Sequence, residues 1–164
     1  MEGKPDKKPI KLRELDEIDR QILNILSKNA RTKLTTLAKE IRLSIDSTKK
    51  RLQKLEESKV ILRYTISADP NKLGTPLGVH VYVKLKDVVK EKYEGFVNEL
   101  SRNHRVIVLM AMLGEYDLFI VFLAKDTREM DEMKMELRQK FSSIIGEWKE
   151  AVVSKVYTLE EFRF

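Results

Sequence analysis

Two neighbouring segments leave this chain few folds to choose from. In Val106-Ile107-Val108-Leu109-Met110-Ala111-Met112-Leu113 and in Leu118-Phe119-Ile120-Val121-Phe122-Leu123, apolar residues occupy both alternating faces. Such short apolar runs, joined by the glycine turn Gly114-Glu115-Tyr116-Asp117, read as two paired strands. An antiparallel strand with one wet face should alternate apolar with polar residues. These strands do not, so both faces of their sheet need cover.

The flanking segments supply cover for one face. Val79, Val81, Val83 and Leu85 alternate with His80, Tyr82, Lys84 and Lys86, which predicts a further strand. Residues 89–103 predict a helix with Tyr93, Phe96, Val97 and Leu100 inward. Asp126 and Glu129 form a capping pair for a helix that turns Met130, Met133, Leu137 and Phe141 inward. Gly146 reads as a stop signal, and Val152 to Leu159 as a last strand. The order is βαββαβ, an α+β sandwich of the ferredoxin-like class, with both helices on one side of the sheet. The other side is expected to meet the same side of a second copy, giving a homodimer.

The first part of the chain has a different character. Residues 1–64 hold 17 Lys and Arg against 10 Asp and Glu, a balance of +7. Residues 65–164 hold 15 against 16, a balance of −1. A basic half next to a near-neutral half points to a polyanionic partner for the former. Charged residues reach 35% with few Asn and Gln, which suits a protein working at high temperature.

That basic half reads as three short helices. The first runs from Leu15 to Ser27, with Ile18, Ile22, Ile25 and Leu26 as its apolar stripe and Asp16, Glu17 and Asp19 at the positive end of its dipole. The second, about Leu34 to Ile41, turns Leu34, Leu37, Ala38 and Ile41 to one side. After Arg42-Leu43, Ser44 is a good N-cap for a third helix reaching about Ser58. Thr48, Leu52 and Leu55 give that helix an inward face, and Val60-Ile61 packs back. Its outer faces carry Asp46, Ser47, Lys49, Lys50, Gln53 and Lys54, side chains that contact phosphates and base edges. Taken alone it is an amphipathic helix with a solvated basic face. Three tightly joined helices with the third basic make the helix-turn-helix arrangement.

The run Leu15-Asp16-Glu17-Ile18-Asp19-Arg20-Gln21-Ile22-Leu23 resembles the opening of the leucine-responsive/asparagine-responsive (Lrp/AsnC) regulators of prokaryotes, in particular archaeal-like members. Arg31, Leu37-Ala38, Leu43-Ser44, Arg51, Leu55-Glu56-Glu57, Val60-Ile61, Tyr64, Asp69-Pro70 and Leu73-Gly74 also fall where that family places such residues. The resemblance implies a winged-type helix-turn-helix domain that binds double-stranded DNA. It puts Ser44, Ile45, Asp46, Ser47, Lys49, Lys50, Arg51, Gln53 and Lys54 at the DNA, with Arg51 packing or contacting a phosphate. It also implies pairing sheet to sheet, with dimers associating into tetramers or octamers. Arg42 and Lys59 stand where the family commonly has glycine, so these two turns are expected to be strained or reshaped.

In the same family a Gly-x-x-Asp turn between the second and third strands helps to bind a free amino acid. Gly114, Glu115, Tyr116 and Asp117 are therefore the candidate effector site. Exposed amides of a glycine turn can hold a carboxylate and Asp117 an ammonium group. The alternative is a plain hairpin turn with an aspartate cap, and Leu113 replaces the small hydroxyl residue often found before the glycine.

The remaining chemistry is sparse. With no cysteine, disulfides, thiolate metal sites and a Cys nucleophile are excluded. His80 and His104 lack a metal-site spacing and are read as ordinary residues. No cofactor beyond an amino-acid effector is expected, nor a catalytic residue. A polar N-terminus without an apolar signal core, and the absence of a run that could span a bilayer, predict a cytoplasmic protein without a membrane partner. The expected organisation is a flexible basic arm at 1–14, the DNA-binding domain at 15–61, a strand and linker at 62–77, in which Ile61 to Ala68 alternates as a strand, and the ligand-binding and oligomerisation domain at 78–164. The function expected is a sequence-specific transcriptional regulator. Two other readings remain: an architectural protein that wraps DNA with little sequence preference, and, more remotely, an enzyme like the sirohaem decarboxylases related to this family.

Overall fold

A computed structural model describes residues 14–157 and residue 164. Residues 1–13 of the expected basic arm, and Thr158 and Leu159 of the expected last strand, lie outside the described residues. The chain divides into two compact units, Met1–Ser67 with Thr158–Phe164, and Ala68–Tyr157.

The first unit contains α1 (Glu17–Lys28), α2 (Leu34–Glu40) and α3 (Ile45–Glu57). Asp16 caps α1 by accepting the Asp19 amide at 2.8 Å, and Ser44 caps α3 by accepting the Ser47 amide at 3.1 Å. The apolar stripes meet as expected. Ile22, Leu23, Leu37, Ile41 and Leu55 are buried, with Leu15, Ile18, Ile25, Leu26, Leu43, Leu52, Val60 and Ile61 packed around them. Each fully buried aliphatic side chain contributes about 1.5–3 kcal/mol. Thr48 is buried too, and its hydroxyl donates to the Ser44 carbonyl at 2.9 Å, so it adds no unsatisfied group to the core. Phe164 belongs to this unit, with its N–H and carbonyl hydrogen-bonded to the Asn24 side-chain amide.

Helices α2 and α3 end in the same way. After α2 the Leu43 amide donates to Ala38 and the Arg42 amide to Lys39; after α3 the Val60 amide donates to Leu55 and the Lys59 amide to Glu56. These are paired Schellman closures, which need a left-handed residue just past the helix and an apolar one after it. Arg42 (φ 57°) and Lys59 (φ 58°) take the left-handed position, and Leu43 and Val60 supply the apolar contact. Both turns keep the geometry that suits glycine and carry a side chain in it.

One expectation for the following segment is corrected. Ile61 to Ala68 forms no strand. Leu62 and Ile66 are about four-fifths exposed, at 81% and 80%. Alternation supplies the side chains of a strand but not a neighbour for its backbone, and none of the described residues forms a ladder with it.

The second unit begins with the expected turn chemistry: the Thr75 amide donates to the Pro70 carbonyl at 2.9 Å and Gly74 is left-handed (φ 74°). Then come β1 (Leu77–Leu85), α4 (Lys90–Arg102), β2 (Val106–Ala111), β3 (Leu118–Ala124), α5 (Thr127–Lys140) and β4 (Ile145–Val152). The order is βαββαβ, and the antiparallel sheet runs β2-β3-β1-β4. Its helix-facing side is a continuous core of Val79, Val81, Val83, Leu118, Ile120, Phe122 and Ala124 against Phe96 and Leu100 of α4 and Met130 and Leu137 of α5.

The last strand is also corrected. It lies at Ile145–Val152, not at Val152 to Leu159. Gly146 is inside it rather than a stop. A β-carbon there would lie 3.2 Å from the Lys84 carbonyl oxygen, beside the irregularity at Lys84/Leu85 where β1 and β4 change register. The strand is at a sheet edge, and its charged residues Glu147, Lys149 and Glu150 hide it from a search for apolar alternation.

The sheet side away from the helices carries His80 and Tyr82 of β1, Phe119, Val121 and Leu123 of β3, and Val108 and Met110 of β2. His80 pairs with Val121 and Tyr82 with Phe119; Val108 pairs with Val121 and Met110 with Phe119. The Phe119 ring lies 5.2 Å from that of His80, edge-on, and 5.1 Å from that of Tyr82. This is an apolar, aromatic surface with no helix over it.

Candidate nucleic-acid interface

Ser44 starts α3 from an extended backbone (φ −66°, ψ 154°), and its hydroxyl donates to the Ser47 hydroxyl at 2.8 Å. With about 100° between successive residues, Thr48 and Leu55 point inward. Asp46, Lys49, Lys50 and Gln53 stand on the opposite side. Ile45 flanks them on one side, Ser47 and Lys54 on the other. All of these outer residues are exposed. The Gln53 amide donates to Glu57 at 2.7 Å, which orients it along the helix. Helix α3 spans roughly 20 Å, long enough to lie across a major groove.

The charge pattern separates this surface from an ordinary solvated one. Among the described residues, the bases of the second unit are widely ion-paired: Lys90, Arg105, Arg128, Lys134 and Lys140 each meet a carboxylate. In the first unit the only paired base is Arg51. Lys49, Lys50 and Lys54 have no acidic partner among the described residues, so their charges are available to phosphate.

Arg51 is the one expected DNA-facing residue that stands elsewhere. Its Nη1 donates to Asp16 Oδ2 at 2.6 Å and to Asp19 Oδ1 at 3.0 Å, both on or next to α1. The Asp19 amide, and next the Arg51 side chain, hold the Asp16 carboxyl below its usual range; the Asp16 hydrogen bond leads the causes that raise the guanidinium. The sequence reading saw Asp16 and Asp19 only as favourable to the helix dipole. The missed signal is spacing: Arg51 lies three residues after Thr48 and four before Leu55, on the inward side, where a charge needs a partner. A second pair also escaped notice. The Tyr64 hydroxyl donates to Glu56 at 2.7 Å, and burial together with that carboxylate pushes the phenol pKa up.

In the β2–β3 turn the four candidate effector residues fall together. Gly114 has φ 151° and open space around it. The amides of Gly114, Glu115 and Tyr116 donate to no acceptor among the described residues. The Asp117 amide donates to Val83 at 2.9 Å, and its carboxylate accepts the Leu85 amide at 2.7 Å. Tyr116 is buried against Tyr82, and its hydroxyl donates to Glu147 at 3.2 Å. Burial and Glu147 raise its pKa. The aspartate cap of a hairpin turn is therefore present alongside free amides that could receive a carboxylate. Among the described residues no group of three His, Asp or Glu side chains could hold a metal ion, and no helix is long and apolar enough to cross a membrane.

Comparison with known proteins places this geometry. The AsnC-type helix-turn-helix domain matches residues 15–56, which include all three helices almost entire. The transcriptional regulator LrpA of Pyrococcus horikoshii is 34% identical over 119 residues, covering 73% of this chain and 82% of LrpA. The chain belongs to the Lrp/AsnC family of transcriptional regulators. The likeness extends through both units of this Lrp/AsnC protein. An AsnC family regulator from Agrobacterium tumefaciens has a TM-score of 0.81 at 26% identity, covering 90% of this chain and 96% of that one. A transcriptional regulator from Neisseria meningitidis, solved as a complex with L-Met, has the same fold at a TM-score of 0.82 and 20% identity, with 89% and 94% covered. The relatives are regulators that use a helix-turn-helix, and this protein is a DNA-binding regulator with them.

Proposed function

We propose that the protein binds DNA sequence-specifically as a homodimer, that α3 enters the major groove, and that a free amino acid at the β2–β3 turn modulates binding. The observation that carries the first part is the set of three unpaired lysines on the outer face of α3, in a unit whose other ion-paired base is turned inward. Lys49, Lys50 and Lys54 provide phosphate and guanine contacts, Gln53 an adenine contact, and Ser44, Ile45, Asp46 and Ser47 the leading edge of the helix. The domains then follow function: residues 15–61 bind DNA, 62–77 link, and 78–164 bind ligand and oligomerise in the cytoplasm.

The apolar sheet surface around Phe119 supports pairing with a second copy, because exposed aromatic and aliphatic groups in this number are costly to leave in water. Two copies present two α3 helices to a roughly palindromic site, and dimers can assemble further into tetramers or octamers. The free amides of Gly114, Glu115 and Tyr116 support the effector reading, and the L-Met bound by the Neisseria meningitidis regulator gives the ligand class to try first. The test is footprinting on the DNA upstream of the protein's own gene, against competitor DNA, with and without an amino-acid panel. A bounded footprint that survives competitor is expected. Uniform protection lost to competitor would favour the architectural reading, and no amino acid altering the footprint or giving heat in calorimetry would remove the effector.

A further inference from the structure

We infer that Arg51 is a positioning residue, which sets the pose of the recognition helix through Asp16 and Asp19 instead of contacting DNA. The inference rests on the reading of α3 as the recognition helix and reassigns one residue within it.

Three observations carry it. Arg51 shares the inward side of α3 with Thr48 and Leu55, both fully buried, and its own side chain is only 28% exposed. A single terminal nitrogen, Nη1, contacts both carboxylates, which uses both of its hydrogens. Asp16 is occupied on both oxygens: Oδ1 caps α1 through the Asp19 amide, and Oδ2 takes Arg51. Asp19 is buried to 1% exposure, so its charge favours a cation held in one place. The N-terminus of α1 and the middle of α3 are thereby joined through one guanidinium. A helix free to rotate by a fraction of a turn would misalign Lys49, Lys50 and Gln53 together.

This arrangement inverts the usual charge argument. Asp16 is an anion in a unit that meets a polyanion, so removing its charge should tighten DNA binding if electrostatics alone acted. If Asp16 works by holding Arg51, removing its charge should weaken binding. Asp16→Asn is a clean probe, because asparagine is an equally good N-cap and α1 keeps its start.

The experiment uses the full chain and two duplexes, one enriched by the wild type from a random-sequence pool and one with that sequence scrambled. Binding is followed by fluorescence anisotropy across a salt series. Asp16→Asn and Arg51→Ala should each weaken the enriched duplex about tenfold. They should also shrink its preference over the scrambled one, and leave the salt slope of the wild type unchanged. Arg51→Lys, which keeps the charge but not the planar fork, should fall between. The inference is overturned if Arg51→Ala lowers the slope by about one, the signature of a lost phosphate contact, or if Asp16→Asn binds as tightly as the wild type or more so. Should Arg51→Ala fail to fold, Asp16→Asn decides alone. A wild type that enriches no duplex removes the recognition-helix reading and this inference with it; a wild type that enriches one while Asp16→Asn matches it removes only the role of Arg51.

Discussion

The carboxylate of Asp117 accepts the Leu85 amide at 2.7 Å, while its own amide donates to the Val83 carbonyl, so one residue of the β2–β3 turn binds the end of β1 twice. Structural and ligand roles of Asp117 can be separated by chemistry. Asp117→Asn keeps an oxygen that can accept from Leu85 but removes the charge that would hold an ammonium group. It should unfold in urea like the wild type and give no heat with any amino acid that the wild type binds. Asp117→Ala should lose the heat and also about 1 kcal/mol of stability. Undiminished heat with Asp117→Asn would take the aspartate out of the effector site.

The outer lysines of α3 should behave as phosphate contacts. Lys50→Ala with Lys54→Ala should lower DNA affinity and reduce the salt slope by about two, with an unchanged oligomer in sedimentation. Promoter DNA bound as tightly by this pair of changes as by the wild type would remove α3 from the interface.

Ser44 ties the start of α3 to both the amide and the hydroxyl of Ser47. Ser44→Ala should cost about 1 kcal/mol in thermal unfolding and Ser44→Gly only a few tenths. Equal losses from the two would mean that the cap is not the source of the effect.

Phe119 sits centrally on the uncovered sheet surface between His80 and Tyr82. Phe119→Asp leaves the helix-side core intact and places a charge in any sheet-to-sheet contact. The expected product is a folded single chain in sedimentation velocity, with weakened binding to a duplex carrying two half-sites. A dimer that persists would place the contact elsewhere.

The helical unit should be acid-sensitive through Asp16. The Asp19 amide first, and Arg51 next, hold this carboxyl below the usual value. A depressed carboxyl adds stability that is present above its unfolded value of about 4 and is lost as pH falls through the lower folded value. Helical circular dichroism should therefore show the melting temperature falling below about pH 4, and Asp16→Asn should flatten that decline. Trp148 in β4, the single tryptophan, follows the second unit separately by fluorescence.

Much of this architecture is legible in the residues because local and global preferences agree. Ser44 at the start of α3, Asp126 at the start of α5 and the doubly apolar Leu118–Ala124 all state their roles without help from the rest of the chain. Strand β4 does not. Its backbone pairs on one side only, so its composition answers to solvent, and Glu147-Trp148-Lys149-Glu150 resembles a loop. The stretch after α3 errs the other way: Leu62, Tyr64 and Ile66 have a strand's alternation without a strand to pair with. Arg51 was legible as conserved in type with the family pattern but not in role, because its partners lie 35 and 32 residues away. Sequence spacing reveals neighbours within a helix and is silent about which other helix supplies the counter-charge.

Arg42 and Lys59 hold the left-handed positions that close α2 and α3. A side chain in that conformation costs about 1–2 kcal/mol of steric energy, which changes little on heating. Glycine would relieve it but enlarge the ensemble of the unfolded chain, an entropic loss of about 0.4–1 kcal/mol that scales with absolute temperature. The comparison between the residues present and glycine therefore moves in their favour as temperature rises. These two helix ends are fitted less for stiffness in the cold than for keeping the unfolded chain poor in alternatives when hot.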